Sequence, residues 1–233
     1  MFLHKILLTV SFITLSTLSH ASLITNGSFE QTTFADNKTS VGSVFNTNLQ
    51  AYQNKKRAWD VFQTLPGWVT TYGSGIELQK NVVTHSQDGS HHVELDSHPR
   101  GASNAVMTQT LDSLTIGADY LLEFYYKPRT NRKNDNGINV FWYDSTIDFS
   151  LDMQAAFVAD STRRLMKNWT LHSVLFTAQA ESMNLSFASF GRQNTLGGLL
   201  DNVSVEKVPE PSMIVLFLSG LSFLVMQKRK RLV

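Results

Sequence analysis

The residues best suited to chemistry lie in one short run, 91–98, which reads HHVELDSH. On a β-strand, His92, Glu94 and Asp96 would point to one side, and the apolar residues between them to the core. Such nitrogen and oxygen ligands would gather a transition metal, but a catalytic zinc site needs a third well-placed ligand. We favour the alternative, a solvated strand face that hydrogen-bonds a polar ligand.

Aromatic rings near strand ends and loops are a second candidate for ligand binding. Flat rings stack on the apolar face of a sugar, while polar side chains bind its hydroxyl groups. Trp68 and Tyr72 are flanked by proline and glycine residues, which favours a loop, whereas the strand alternation of Trp142 and Trp169 favours the core. The predicted sugar-binding residues are Trp68, Tyr72, His92, Glu94, Tyr126 and Arg129.

Asp201 is the acidic residue with the most unusual predicted position. It shares its strand alternation with Leu199, Val203 and Val205, which predicts a carboxylate on the inward face of a core strand. A buried carboxylate needs a cation or several hydrogen bonds. The sequence therefore leaves a metal site and a capped turn or arginine pair as alternatives.

The sequence offers little for catalysis. It has no cysteine, no Gly-x-Ser-x-Gly turn, no phosphate-binding loop and no His-Glu-x-x-His pair. Glu77 and Glu94 lie on aligned strand segments, and two acids about 5 to 9 Å apart suffice for glycoside hydrolysis. We expect a non-catalytic protein with no organic cofactor, and keep a glycan-active hydrolase as an alternative.

Short β-strands would position these residues. Apolar residues recur with a period of two far more often than with a helical period. Eight or more strands separated by turn residues predict an all-β fold, a single antiparallel β-sandwich of the jelly-roll type. The predicted strands are 75–78, 92–95, 105–111, 120–126, 138–143, 169–177, 183–189 and 199–205.

Residues 1–21 are typical of a secretory signal peptide. Lys5 precedes an apolar run from Ile6 to Leu15, and small residues stand at Ser19 and Ala21. We expect cleavage after Ala21 and export of the rest of the chain. The alternative is a signal anchor that stays in the membrane.

Residues 209–233 form a second segment outside the predicted domain. An apolar stretch over 213–226 would give a transmembrane helix of about 21 Å, short of the roughly 30 Å hydrocarbon core. The basic residues after it would stay in the cytoplasm. The residues that define the segment are Pro209, Glu210, Pro211, Lys228, Arg229, Lys230 and Arg231.

The Pro-Glu-Pro triplet, short helix and basic tail resemble the PEP-CTERM sorting signal of Gram-negative bacteria. This resemblance implies an exosortase as a processing partner and an intermediate tethered to the inner membrane. It also implies delivery to the cell surface or the extracellular matrix in species that make exopolysaccharide. An ordinary tail anchor is the alternative.

The charge of the chain changes when these two segments are set aside. The whole chain of 233 residues has a formal net charge of +1, whereas residues 22–208 hold 15 lysines and arginines against 18 aspartates and glutamates. A net negative domain gives no electrostatic reason to expect nucleic acid as a partner. The absence of cysteine excludes disulfide support.

Seven motifs in order resemble the galactose-binding-like jelly roll, and in particular the DUF642 group and carbohydrate-binding modules of families 4 and 22. The resemblance implies a single domain over 22–208 that binds a polysaccharide. In related modules the first and last strands are neighbours and hold a structural calcium ion, which implies Glu30 and Asp201 as calcium ligands. The motifs are LITNGSFE (23–30), LPGW (65–68), GIELQ (75–79), HVELDS (92–97), TQTL (108–111), GADYLLEFYYKPR (117–129) and GGLLDNVSV (197–205).

The combined features favour an exported, non-catalytic module that binds polysaccharide at the cell surface or in the exopolysaccharide matrix. The alternative from another class is a structural matrix or adhesion protein that acts through protein contacts. Convergence of the predicted aromatic and polar residues on one concavity would distinguish a sugar site from a flat contact surface.

Overall fold

The computed structural model describes residues 21–33, 52, 55–101, 103–161 and 168–209. Within these ranges the regular structure consists of twelve strands. Their bounds are β1 (Ala58–Phe62), β2 (Thr64–Leu65), β3 (Trp68–Tyr72), β4 (Ile76–Lys80), β5 (His91–Glu94), β6 (Val106–Leu111), β7 (Asp119–Lys127), β8 (Gly137–Asp144), β9 (Phe157–Ala159), β10 (Thr170–Thr177), β11 (Met183–Phe190) and β12 (Leu199–Lys207).

The strands form two six-stranded sheets. The first sheet has the order β1-β4-β5-β12-β7-β10, and the second has the order β2-β3-β6-β11-β8-β9. Each pair of hydrogen-bonded neighbours in both sheets is antiparallel. The expectation of an all-β fold built from antiparallel sheets is confirmed.

The core lies between the two sheets and is filled by alternating side chains. On β7, Leu122, Phe124 and Tyr126 are buried in it, while the residues between them are partly exposed. Phe124 meets Phe187 of β11 edge to face, with ring centroids 5.3 Å apart. An aromatic pair of this kind adds about 0.5–1.5 kcal/mol beyond the burial of its apolar surface.

The prediction that Trp68 lies on a loop is wrong. Trp68 begins β3 and is fully buried, and its indole Nε1 donates a hydrogen bond to the carbonyl oxygen of Asn26 at 3.2 Å. The preceding Pro-Gly pair forms the tight turn of the β2–β3 hairpin, where Gly67 takes a φ of 82°. A two-residue turn with glycine at a positive φ leaves Trp68 on a paired strand.

The predictions for the two ends of the chain lie outside the described residues, apart from Ala21 and Pro209. These are the signal peptide over 1–21 and the sorting segment over 209–233, including its helix at 213–226. In the part of the chain that the structure describes, no helix is long and apolar enough to cross a membrane.

Candidate functional site

The six predicted sugar-binding residues do not converge on one concavity. Trp68 and Tyr126 lie in the core between the sheets, where the Tyr126 hydroxyl donates to the Asn136 carbonyl oxygen at 3.1 Å. Glu94 and Arg129 meet in a buried polar cluster, which also contains His92, on the outer face of the first sheet. Tyr72, with 49% of its surface exposed, ends a strand of the second sheet.

The polar cluster on the first sheet is closed and internally hydrogen-bonded. Glu94 on β5 stands directly opposite Glu77 on β4. The Gln79 amide nitrogen donates to both carboxylates, at 2.8 Å to Glu77 and 2.7 Å to Glu94. Arg129 donates to the same Glu94 oxygen, and to the Thr195 carbonyl oxygen at 3.0 Å.

The surroundings of Glu94 raise its pKa well above the ordinary range of a glutamate. Burial is the main cause and the neighbouring Glu77 adds to it, while Arg129 and the Gly197 amide act in the opposite direction. Both glutamates are almost completely buried. They therefore do not flank a groove in the way that paired acids of a glycoside hydrolase must.

His92 is a neutral structural residue of the same cluster. Burial, with nearby His91, Lys127 and Arg129, lowers its pKa to about 3. Its Nε2 lies 3.2 Å from Oε1, the side-chain carbonyl oxygen of Gln79, and its Nδ1 lies 2.9 Å from the Ser86 hydroxyl. Because a carbonyl oxygen only accepts, we infer that the proton is on Nε2 and that Ser86 donates to Nδ1.

The prediction that His92, Glu94 and Asp96 form a solvated strand face is wrong, because all three are fully buried. The segment 81–90, called here the covering loop, packs over this part of the first sheet. Trp169 donates from its indole Nε1 to the His85 carbonyl oxygen at 3.0 Å, and Lys127 donates to the Thr84 hydroxyl at 2.8 Å. The polar side chains of β5 hydrogen-bond to loops of the protein itself.

Asp201 holds the covering loop from beneath. Its Oδ2 accepts from the backbone amides of Gln87 at 2.7 Å and Asp88 at 3.1 Å, and its Oδ1 accepts from the amide of Asn202 at 2.7 Å. Burial raises its pKa to about 7, against the effect of these three hydrogen bonds. Of the alternatives left by the sequence, the observed contacts match the capped turn.

The predicted inward orientation of Asp201 is wrong. A β-bulge between Asp201 and Ser204 interrupts the alternation of β12, and Asn202 takes a positive φ of 48° within it. As a result Leu200 and Val203 both face the core, although their spacing is odd. Asp201 lies on the opposite face, towards the covering loop.

Glu30 anchors the C-terminal end of the covering loop. One of its oxygens accepts from the amides of Ser90 at 2.6 Å and His91 at 2.7 Å, and the other lies 2.8 Å from His91 Nδ1. With the Ser90 hydroxyl, which donates to the second oxygen at 3.2 Å, these donors suit an anion-binding turn. In the described ranges no cluster of three or more His, Asp or Glu side chains is placed to hold a metal ion. A calcium ion at Glu30 and Asp201 stays a prediction.

The second sheet carries an open groove on its outer face, with a volume of about 530 Å³. Val106, Asn139 and Ala188 lie in its floor, on the three neighbouring strands β6, β8 and β11. The lining residues are Tyr72, Gly73, Ser74, Pro99, Asn104, Val106, Asn139, Phe141, Phe149, Leu151, Ala188, Ser189, Phe190 and Gln193. None of them is charged.

One wall of the groove is built by the segment between β8 and β9. Phe149 packs edge to face on Phe141 with ring centroids 5.2 Å apart, and it lies 6.4 Å from the Tyr143 ring. Phe141, Val106 and Ala188 form a small second core beneath this segment, separate from the main one. This packing fixes the wall without filling the groove.

Two kinds of polar group lie at or beside the groove: hydroxyl groups that are hydrogen-bonded to one another, and side-chain amides. Hydroxyl groups form a row across four strands, from Thr71 to Thr108 at 2.8 Å, on to Ser186 at 2.7 Å and to Tyr143 at 3.0 Å. The amide side chain of Asn139 makes no hydrogen bond to any described residue, and the same is true of Gln193. Those two amides keep their full capacity to bind a ligand.

The groove was not predicted from the sequence, except for Tyr72. Asn139 and Phe141 alternate with the core residues Ile138 and Val140 on β8, so their outward orientation follows from the period of two. The sequence pattern does not show that the segment after β8 folds back to make a wall. Distant loops supply the rest of the lining.

Curated relatives match only part of the chain. The multifunctional-autoprocessing repeats-in-toxin protein of Vibrio vulnificus is 29% identical over 139 residues, which are 59% of this chain, and the protein of the same name from Vibrio cholerae is 27% identical over a stretch of equal length. The chain spans about 2% and 3% of the length of these two proteins.

Solved structures overlap with the fold at low sequence identity. TmCBM61 in complex with β-1,4-galactotriose is 10% identical with a TM-score of 0.46, covering 81% of this chain and 100% of that one. The Clostridium thermocellum xylanase 10B CBM22-1–GH10 modules, complexed with xylohexaose, are 16% identical with a TM-score of 0.42, covering 68% of this chain and 29% of that one. At these TM-scores the overlap does not identify a shared ligand.

A family comparison covers nearly all of the described structure. The family described as a protein of unknown function, DUF642, matches residues 22–206. This match confirms the family resemblance carried by the seven ordered motifs, from LITNGSFE at 23–30 to GGLLDNVSV at 197–205. The chain therefore belongs to the DUF642 family.

Proposed function

We propose that this chain is a carbohydrate-binding module of the jelly-roll type, which holds a polysaccharide segment in the groove of the second sheet. The observation that carries the proposal is the lining of that groove, which combines aromatic rings with amide side chains that have no partner in the described structure. A concave, mostly apolar surface with a few convergent polar groups is the usual form of a small-ligand site.

The rings and amides of the groove have complementary roles in this proposal. Tyr72 offers a half-exposed ring on which the apolar face of a sugar stacks. Asn139 and Gln193 each supply two N–H donors and one carbonyl acceptor for sugar hydroxyl groups. The hydroxyl row from Thr71 to Tyr143 is already hydrogen-bonded and stiffens the sheet beside the groove.

In this proposal the module binds and does not cleave. The candidate acids Glu77 and Glu94 are buried on the first sheet, where Arg129 donates to Glu94, and the residues lining the groove include no acid. A hydrolase acting in this groove would need two carboxyl groups beside the bound sugar.

The location of the module is part of the proposal and rests on the sequence. The signal peptide would export the chain, and an exosortase would process the Pro-Glu-Pro segment while the 213–226 helix lies in the inner membrane. Delivery to the cell surface would place the groove against the exopolysaccharide of the producing Gram-negative cell. That polysaccharide is the first ligand to test.

Affinity electrophoresis of the full chain through gels containing the producer's exopolysaccharide tests the proposal. We expect retardation by the polysaccharide and a loss of about tenfold in affinity for Tyr72→Ala and for Asn139→Ala. Tyr125→Ala is the matched control, because Tyr125 is also a partly exposed tyrosine but lies on β7 of the first sheet. Unchanged affinity of both groove variants would contradict the proposed site.

A structural or adhesion role is a second candidate, favoured by one observation. Leu171 and Leu175 are about half exposed on β10, which is the edge strand of the first sheet. Exposed leucines on an edge strand are typical of contact surfaces. Retention of surface adhesion by Tyr72→Ala, with loss in a Leu171→Ser, Leu175→Ser variant, would favour this role.

A further inference from the structure

Two loops that contribute Pro99 and Gln193 to one end of the groove are joined through their backbones to each other and to a third loop, which contributes no lining residue. These end loops are 98–101, 130–135 and 191–197. Gly101 donates its amide to the Gln193 carbonyl oxygen at 3.1 Å, and Arg192 donates its amide to the Asn134 carbonyl oxygen at 2.9 Å. The loops therefore form one continuous surface beside the groove.

The end loops carry four exposed cationic side chains, Arg100, Arg132, Lys133 and Arg192. Arg100 directly follows Pro99, and Arg192 directly precedes Gln193, which both line the groove. None of the four forms an ion pair with an acid of the described ranges. This end of the groove therefore has unneutralised positive charge.

The acidic residue of the end loops, Asp135, does not neutralise this positive charge at the surface. Asp135 is 1% exposed and accepts hydrogen bonds from the Thr130 hydroxyl and the Asn194 side-chain amide, both at 2.6 Å. The charge is also not a general property of the domain, because residues 22–208 hold 15 basic against 18 acidic side chains. The four exposed cations of the end loops thus lie on a domain whose net charge is negative.

Buried carboxylates of the first sheet hold the 191–197 loop in place. Asp96 accepts from the amide of Leu196 at 2.9 Å, and Glu94 accepts from the amide of Gly197 at 2.6 Å. Arg129 binds the Thr195 carbonyl oxygen of the same loop. Because the backbone is anchored at three successive residues, Arg192 and Gln193 project from a fixed support.

We propose that the ligand of the groove is an acidic polysaccharide, whose uronate, sulfate or phosphate groups meet Arg100 and Arg192 at this end. The inference rests on the proposed function and specifies the class of ligand. The segment that forms the other wall carries the exposed Asp148 and Asp152. Positive charge is therefore confined to one end, where it orients an anionic chain and raises its rate of association.

The test compares an acidic with a neutral polysaccharide on the full chain, using polygalacturonate and dextran at about 50 and about 300 mM salt. We expect tighter binding of polygalacturonate and a loss of its affinity at the higher salt. The double variant Arg100→Gln, Arg192→Gln is expected to lose about tenfold in affinity for polygalacturonate. The charge-matched control, Lys55→Gln, Lys56→Gln, alters exposed lysines that precede β1 and should bind as the parent does.

The outcomes separate this inference from the proposed function. Binding of dextran as tight as that of polygalacturonate, with no salt dependence, would overturn the acidic ligand and leave carbohydrate binding intact. Absence of binding to any polysaccharide, including the producer's own, would overturn both. Tighter binding of duplex DNA than of polygalacturonate, unchanged by Tyr72→Ala, would show a general polyanion surface and would overturn the inference.

Discussion

The outer faces of the two sheets differ in how their polar residues are used. On the first sheet, Glu94 and His92 are completely buried, and each has hydrogen-bond partners within the protein. On the second sheet, Tyr72 is half exposed and the side-chain amide of Asn139 makes no hydrogen bond to the described residues. The outer face of the first sheet, which carries more titratable groups, is covered by loops. The outer face of the second sheet, which carries uncharged groups, is open to a ligand.

This difference follows from the free energy of burying charge. A buried carboxylate is stable only with several donors around it, and backbone amides of nearby loops supply them here. Glu94, Asp96 and Asp201 each anchor a loop in this way, and the exposed Glu30 also binds loop amides. Their role is to shape the molecule, which leaves neutral amides and rings to contact a ligand.

The largest loss of stability is expected when Trp68 is replaced, and this substitution tests whether Trp68 belongs to the core or to a ligand site. Trp68→Ala removes a fully buried side chain and should lower the free energy of unfolding by about 3–5 kcal/mol. Tyr72→Ala, at an exposed strand end, should lower it by less than about 1 kcal/mol. Urea unfolding of both variants measures this. Unchanged stability of Trp68→Ala, together with loss of sugar binding, would show that Trp68 binds the ligand and does not belong to the core.

A smaller loss of stability is expected when the buried polar cluster around Glu94 loses the guanidinium group of Arg129. Arg129→Met removes hydrogen bonds to Glu94 and to the Thr195 carbonyl oxygen, and should lower the free energy of unfolding by about 3 kcal/mol. Adding Glu94→Gln should recover part of the loss, because a neutral side chain replaces the unpaired carboxylate. Arg132→Gln, an exposed arginine, is the control. Equal stability of Arg129→Met and Arg132→Gln would show that the polar cluster around Glu94 is not buried.

The pH dependence of stability is expected to report on Asp201. Burial raises its pKa from an ordinary 3.8 to about 7, so between these values the folded protein binds a proton that the unfolded chain does not. This carboxyl group therefore makes stability increase as the pH falls from about 7 to about 4, by at most about 1.4 kcal/mol per pH unit. Unfolding at several pH values should show that Asp201→Asn removes this contribution. An unchanged pH profile would contradict the buried position.

The strands were predictable from sequence where local alternation decides them. The predicted strand 183–189 became Met183–Phe190, and 138–143 became Gly137–Asp144. The sequence failed at Asp201, where a bulge reverses the alternation, and at Trp68, where a Pro-Gly pair forms a hairpin turn and not a loop. Both errors came from local backbone geometry that a period of two does not contain.

The candidate site was largely unpredictable for a different reason. The groove is lined from separate loops and from strands that are distant in sequence, and its walls depend on how those loops fold over the sheet. Two loops likewise cover the run 91–98: the covering loop contacts His92 through Ser86, and the 191–197 loop contacts Glu94 and Asp96. Residue type shows what a side chain can bind, but long-range packing decides whether a ligand reaches it.

Hydrogen exchange of the full chain, with and without a bound oligosaccharide from the producer's exopolysaccharide, would show directly whether the ligand lies in the groove of the second sheet. The amides to follow are those of 72–74, 139–141 and 188–193 around the groove, and those of 81–94 at the closed face of the first sheet. We expect slower exchange in the first group on binding and no change in the second. Protection confined to 81–94 would contradict this expectation and would place the ligand on the first sheet.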